Sequence, residues 1–133
     1  MAEALIFDTT FLIDFQRERL RGEADGRAHR FLAVHADAAM ALPVVALGEF
    51  AEGFADPNDP VLRQTARHFD LLPVDDATAY CCADITRRLR RNGRLIGSND
   101  LWIAACALRH GRPLVTRNAA EFGRVPGLEV SVY

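Results

Sequence analysis

The sequence predicts an α/β domain built on a mostly parallel sheet. Short apolar runs alternate with longer segments of helical periodicity along the whole chain, the pattern of parallel strands joined by helices. The 133 residues match one domain of ~100–200 residues, residues 1–133, able to bury roughly two-thirds of its unfolded surface. The apolar fraction is 50%, with 21 Ala against 14 Val plus Ile, a balance that favours helix.

Each element has its own signal. Glu3–Asp8 reads as a short buried strand, Ala-Leu-Ile-Phe, ending in an acid. Phe11, Leu12, Phe15 and Leu20 then share one helical face. A Gly-flanked polar linker, Arg21–Gly26, precedes a helix over Arg27–Ala39. Met40–Leu42 is a second strand, and Pro43 opens a helix over Val44–Ala55. In the turn that follows, Asp59 is a candidate N-cap with Pro60 at the first helical position, and the helix runs to about Asp70. Leu71–Val74 is strand-like. Asp75 or Asp76 caps a helix through Arg91 that stops at Asn92-Gly93. Ser98 or Asn99 opens the helix Asp100–His110, closed by Gly111. Pro113–Thr116 is a strand, Ala119–Phe122 a short helix, and Leu128–Val132 a last strand.

Composition excludes several classes. The longest apolar runs, around Met40–Leu47 and Leu101–Leu108, fall far short of the ~20 residues of a membrane span. The start, Met-Ala-Glu-Ala-Leu, lacks the basic and apolar regions of a secretory leader. The 3 cysteines form no C-x-x-C pair, so free thiols in a reduced cytoplasmic compartment are expected. All 16 basic residues are Arg, and charge is uneven. Residues 1–86 carry 7 Arg and 15 acids; residues 87–133 carry 9 Arg and 3 acids. An acidic site and a separate basic surface are therefore expected on one molecule.

Sites in open parallel sheets form at the carboxyl ends of strands. Asp8, Thr116 and Asn118 fall at such ends. Glu49 lies in a helix entered from a strand, and Asp100 in the first turn of a helix. Carboxylates brought together raise each other's pKa. A hard divalent cation removes that penalty, and Mg²⁺ or Mn²⁺ prefers carboxylate oxygen and water. The four histidines, 29, 35, 68 and 110, have no metal-ligand spacing. An all-carboxylate site suits phosphoryl chemistry.

Several stretches resemble the PIN-domain family, specifically its VapC-type toxins. They are Phe-Asp8-Thr-Thr-Phe-Leu-Ile-Asp, then Val-Val-Ala-Leu-Gly-Glu49-Phe-Ala-Glu-Gly53. The longest runs from Arg90 through Gly-Ser-Asn-Asp100-Leu-Trp-Ile-Ala-Ala-Cys-Ala-Leu. Pro113-Leu-Val-Thr-Arg-Asn-Ala-Ala-Glu-Phe122 and Val125-Pro-Gly-Leu complete the set, which spans nearly the whole chain in order. The resemblance implies a three-layer α/β/α fold and an Mg²⁺- or Mn²⁺-dependent endoribonuclease. Asp8, Glu49 and Asp100 would be its metal-binding acids, with Asn118, Glu121 and Thr116 completing the catalytic pocket. Many members carry Asp where this chain has Asn118, so Glu121 is the candidate fourth carboxylate and one or two metals are both open. The resemblance also implies a VapB-like antitoxin, a homodimer and a toxin–antitoxin hetero-oligomer.

Plainer readings stand beside these. Asp8 is a ready helix cap, Glu49 a helix acid, Asp100 a partner for a helix dipole, and Glu121 an exposed acid on a short helix. Asp14, Glu52, Asp75 and Asp76 read as structural. The cluster Arg87, Arg88, Arg90, Arg91 and Arg94 is either a solvated helix end or a ridge for RNA phosphates. Trp102 reads as core, and Phe11, Phe15, Phe50 and Phe54 as core or as a groove for a partner helix. Two other functions compete: a PIN nuclease outside toxin–antitoxin modules, and a non-catalytic PIN-like interaction module, which only Asn118 favours. A receiver-like phosphoacceptor would need a strand-end Lys, and the chain has none.

Overall fold

A computed structural model describes residues 3–133; the first two residues of the leader reading, Met1 and Ala2, lie outside them. Five strands form one sheet: β1 (Ala4–Phe7), β2 (Ala39–Pro43), β3 (Asp70–Leu72), β4 (Leu114–Thr116) and β5 (Val130–Val132). Seven helices connect them: α1 (Thr9–Arg21), α2 (Arg27–Val34), α3 (Val44–Ala51), α4 (Pro60–Ala66), α5 (Asp76–Arg91), α6 (Ser98–His110) and α7 (Ala119–Phe122). Every strand pair is parallel, in the order β3-β2-β1-β4-β5.

Burial explains the order. Leu5, Ile6 and Phe7 of β1, and all three residues of β4, are buried. Such near-continuous apolar strands need helices on both faces. The edge strands β3 and β5 are more exposed. The chain moves from β1 to β2 to β3 in one direction, then crosses back to β4 and on to β5. The return from β3 to β4 puts helices on both faces of the sheet, a three-layer α/β/α arrangement in which α1 packs on α2, α5 on α6, and α3 reaches both α1 and α6. The order reverses between β1 and β4, which opens a crevice at their carboxyl ends.

Several element boundaries differ from the sequence expectation. α1 begins at Thr9 because Asp8 caps it, accepting from the Phe11 N–H at 3.1 Å. α2 stops at Val34 rather than Ala39, since Ala39 is already paired in β2 with Ala4. α3 ends at Ala51 and α4 at Ala66, both short of Ala55 and Asp70. Asp70 instead pairs with Ala41, which moves β3 one residue earlier. α6 begins at Ser98 after Gly97, with no side-chain cap, so neither Ser98 nor Asn99 caps it. It closes on Gly111 in the left-handed conformation (φ 62°) that glycine adopts without strain. β5 forms only over Val130–Val132.

The N-terminus of α2 is capped from another helix. Gly26 has no side chain to offer, and the buried Glu18 of α1 takes its place. Its carboxylate accepts from the Ala28 and His29 N–H groups, both at 3.0 Å, and bonds the His29 ring at 2.7 Å. Burial alone would push this carboxyl up; the bonds from the His29 and Ala28 N–H groups and the His29 ring outweigh it and hold it below its ordinary range. A Cβ on Gly26 would sit 2.2 Å from Glu18 Cδ. Glu18→Ala should therefore cost about 2–4 kcal/mol, because it leaves two buried helix N–H groups unpaired and removes charge-assisted bonds. Because the native carboxyl is lowered, its contribution is present above the ordinary carboxylate pKa and lost on acidification. Denaturant unfolding at neutral pH and near pH 3 measures both, and a variant as stable as the native protein at neutral pH would contradict this cap.

Candidate active site

Asp8 sits at the end of β1, 2% exposed. Besides the Phe11 N–H, it accepts from Thr10 Oγ1 at 2.8 and 2.9 Å and from the hydroxyl of Thr116. Thr116 ends β4 and is fully buried. Its hydroxyl also accepts the Asn118 N–H at 2.9 Å. The crevice between β1 and β4 is thus spanned by side chains 108 positions apart. Burial raises the Asp8 carboxyl above its ordinary value, against the bonds from Thr116, Thr10 and Phe11 that lower it.

Three further carboxylates approach from separate elements. Glu49, half-buried on α3, accepts from Thr9 Oγ1 at 2.7 Å. Asp100 stands in the first turn of α6. Glu121 of α7 is held by the Asn118 side-chain amide at 2.5 Å and approached by the Gly97 N–H at 3.4 Å. Asp100 records their meeting. Burial first, then the charges of Glu121, Glu49 and Asp8 and a hydrogen bond with Glu121, push it up to about 6. The structure therefore links Asp8 to Thr116, Thr116 to Asn118 and Asn118 to Glu121, and sets Asp100 within electrostatic reach of Glu121, Glu49 and Asp8. Asn118 acts on Glu121 there, orienting the carboxylate.

Thr9 and Thr10 were not among the expected pocket residues. Each hydroxyl fixes one acid, and the signal was their position directly after a strand-end Asp. Asp14 is structural, as expected: it accepts from Tyr133 at 2.7 Å and pairs with Arg117 at 3.2 Å, tying the chain terminus to α1. Asp75 caps α5 through Thr78, while Glu52 is exposed at the end of α3.

The arginine-rich end of α5 points to the same side of the sheet. Residues 92–97 join it to the start of α6, where Asp100 sits. Arg87 and Arg88 share Asp84, each at 3.2 Å, so their charge is partly satisfied within the helix. Arg90, Arg91 and Arg94 are exposed. If this end holds phosphates, Arg90→Ala with Arg91→Ala should lower the salt slope of RNA binding by about 1.4, at ~0.7 per single-strand contact. A fluorescence-anisotropy salt titration with an unchanged slope would leave it a solvated helix end. Trp102 is half-buried, packing on the core while lining a concavity with Arg87 and Arg90. Phe11 and Phe50 are buried in the core; Phe15 and Phe54 lie at its edge.

The donors offered to a cation are all hard oxygen. Among the described residues, no three acidic, imidazole or thiol groups already form a metal cage. Mg²⁺ does not require one, since it commonly takes one or two carboxylates and completes its shell with water and phosphate. Asp8 takes four hydrogen-bond contacts from three donors, two on each oxygen, so a cation would share its carboxylate with those donors. Burial, and then the charges of Glu121, Glu49 and Asp8, push Asp100 up to about 6, and a divalent cation would relieve the part due to those charges. Asp8, Glu49, Asp100 and Glu121 thus offer the donor chemistry a hard cation prefers, without standing as a ready-made cage.

The PIN domain model matches residues 5–128 of this parallel α/β domain. The chain belongs to the PIN domain family. Within it, the chain is similar to Ribonuclease VapC1 of Methanocaldococcus jannaschii, at 26% identity over 97% of this chain and 86% of the relative. Its fold matches that in a crystal structure of VapBC2 from Rickettsia felis bound to a promoter DNA fragment, with a TM-score of 0.81, 20% identity and 98% of each chain covered. A crystal structure of VapBC-5, a member of the VapBC family of toxin–antitoxin systems from Mycobacterium tuberculosis, matches with a TM-score of 0.65 at 28% identity, covering 97% of this chain and 96% of that one.

Proposed function

We propose that this protein is a VapC-type endoribonuclease, the toxin of a VapBC-type module, cutting RNA with Mg²⁺ or Mn²⁺ at the acidic pocket. The observation that carries the reading is the meeting of Asp8, Glu49, Asp100 and Glu121 from four separate elements at the β1–β4 crevice. The similarity to a protein named Ribonuclease VapC1 supports the reaction, and the similarity to VapBC complexes supports a VapB-like antitoxin as partner. Action in the cytoplasm as a homodimer belongs to the same proposal.

Asp8, Asp100 and Glu49 would hold the cation. When bound, it would lower the pKa of a water and neutralise charge growing on the phosphodiester. The hydroxyls of Thr10 and Thr116 and the Phe11 N–H fix the Asp8 carboxylate before substrate arrives. Thr9 does the same for Glu49. Asn118 fixes the Glu121 carboxylate beside Asp100, where it is placed to orient an attacking water or a leaving oxygen.

The test is RNA cleavage by purified, antitoxin-free protein with Mg²⁺, with Mn²⁺ and with EDTA, using Asp8→Asn to exclude contaminating nuclease. Cutting that needs metal and vanishes in the variant is expected. Equal cutting by the variant would remove the pocket assignment, and no cutting of cellular RNA would favour a non-catalytic PIN-like module.

A further inference from the structure

We propose that a second, arginine-lined concavity between α1 and α2 is a phosphate-binding subsite for single-stranded RNA, leading away from the acidic pocket. This rests on the ribonuclease reading above. The concavity, about 350 Å³, is lined by Arg17 and Arg21 of α1, Arg27 and Arg30 of α2, and Arg117, next in the chain to Thr116. Five arginines there face three acids: Asp14 pairs with Arg117 and Tyr133, Glu18 is bonded to the N-terminus of α2, and Glu23 is exposed, so the lining keeps a net positive charge. Among the described residues, Arg17, Arg21, Arg27 and Arg30 have no salt-bridge partner.

These four guanidinium groups are exposed, so water screens their mutual repulsion, and together they make a local positive potential that attracts an anion. Arginine suits phosphate because its planar fork binds two oxygens at once. Position favours a chain of phosphates over a single ion. α1 starts at Asp8, so at 1.5 Å per residue Arg17 and Arg21 lie about 13 and 20 Å along the axis from it. Arg117 and Asp14 stand at the near end, beside the residues that fix Asp8. A strand held by the four arginines would therefore leave one phosphodiester at the acids. The helices contribute no base-reading aromatic to this hollow, so it should grip backbone without reading sequence.

The test is fluorescence anisotropy with a labelled single-stranded RNA of about 20 nucleotides, longer than one binding site, across a salt series. An Asp8→Asn background keeps the RNA intact. Replacing Arg17, Arg21, Arg27 and Arg30 by Ala should flatten the slope of log affinity against log salt by about 3, at ~0.7 per contact. Affinity at 0.1 M salt should fall roughly 100-fold or more. The four-Lys counterpart should keep most of the slope, since charge is retained. Arg63→Ala with Arg67→Ala, on and after α4, should leave it unchanged. An unchanged slope in the four-Ala protein overturns the subsite while the ribonuclease reading stands. So does equal loss in the Arg63/Arg67 control or in the four-Lys protein. Unchanged RNA binding with loss of binding to a VapB-like antitoxin would reassign the hollow to a protein partner. Absence of any RNA binding by the Asp8→Asn parent, with native protein also failing to cut, overturns both.

Discussion

Asp8→Asn is expected to reduce metal-dependent RNA cleavage by about 10³-fold or more while leaving the fold in place. The magnitude follows from losing a preorganised charge at the reacting centre, worth about 3–4 kcal/mol or more of barrier. Asparagine caps helices about as well as aspartate, so the bond from the Phe11 N–H survives through its amide oxygen. Alanine would be a poorer probe. It would cost ~1 kcal/mol in capping and would leave the buried Thr116 hydroxyl and the Thr10 hydroxyl without their acceptor. Circular dichroism and cleavage measured on one preparation separate chemistry from folding. Near-native cutting by a folded Asp8→Asn protein would show that the reaction occurs elsewhere.

Asp100→Asn should abolish cleavage and yet raise the stability of the metal-free protein at pH 7. In the folded chain this carboxyl titrates at about 6, against an ordinary 3.8, chiefly from burial and then from Glu121, Glu49 and Asp8. Between those values the folded state holds more protons than the unfolded state, so stability falls as pH rises across the window. The full penalty is present above about pH 6 and disappears below about pH 4. Two units correspond to about 3 kcal/mol at most, and partial solvation of Asp100 reduces this to about 1–2 kcal/mol. The helix dipole favours an acid in the first turn of α6 by only ~0.3–1 kcal/mol, so burial and the neighbouring charges outweigh it. The variant should melt about 5 °C higher at pH 7 and nearly level with the native protein at pH 4. Added Mg²⁺ should raise the native melting temperature more than that of the variant. A variant that melts lower at pH 7 without metal would mean the four acids do not repel one another as placed.

Much of this fold is local chemistry, and the sequence determined it. The helix-capping roles of Asp8, Asp59 and Asp75 follow from short polar side chains next to helical runs. The apolar run Leu5–Phe7 reads as a short buried strand, and the sheet buries all three residues. Errors fell at helix ends and at β3, where tertiary pairing, such as Asp70 with Ala41, overrides local propensity. α6 is the converse: the apolar run Leu101–Leu108 reads as core from the sequence, and buried Leu101, Ile103, Ala104, Ala105, Cys106 and Ala107 surround nearly the whole helix.

The acids themselves were legible as strand-end and first-turn carboxylates, and their family resemblance named them. Their convergence was decided by topology. It depends on β4 returning beside β1, with Thr116 bonding Asp8 across 108 positions, and no local pattern encodes that pairing. Glu18 reaching α2, Asn118 turning on Glu121, and the α1–α2 arginines sharing one hollow are likewise products of packing. Sequence sets what each segment can be, because propensity and capping act over a few residues. Electrostatic sites need charges several ångströms apart in space and far apart in the chain, and only the folded topology supplies that distance.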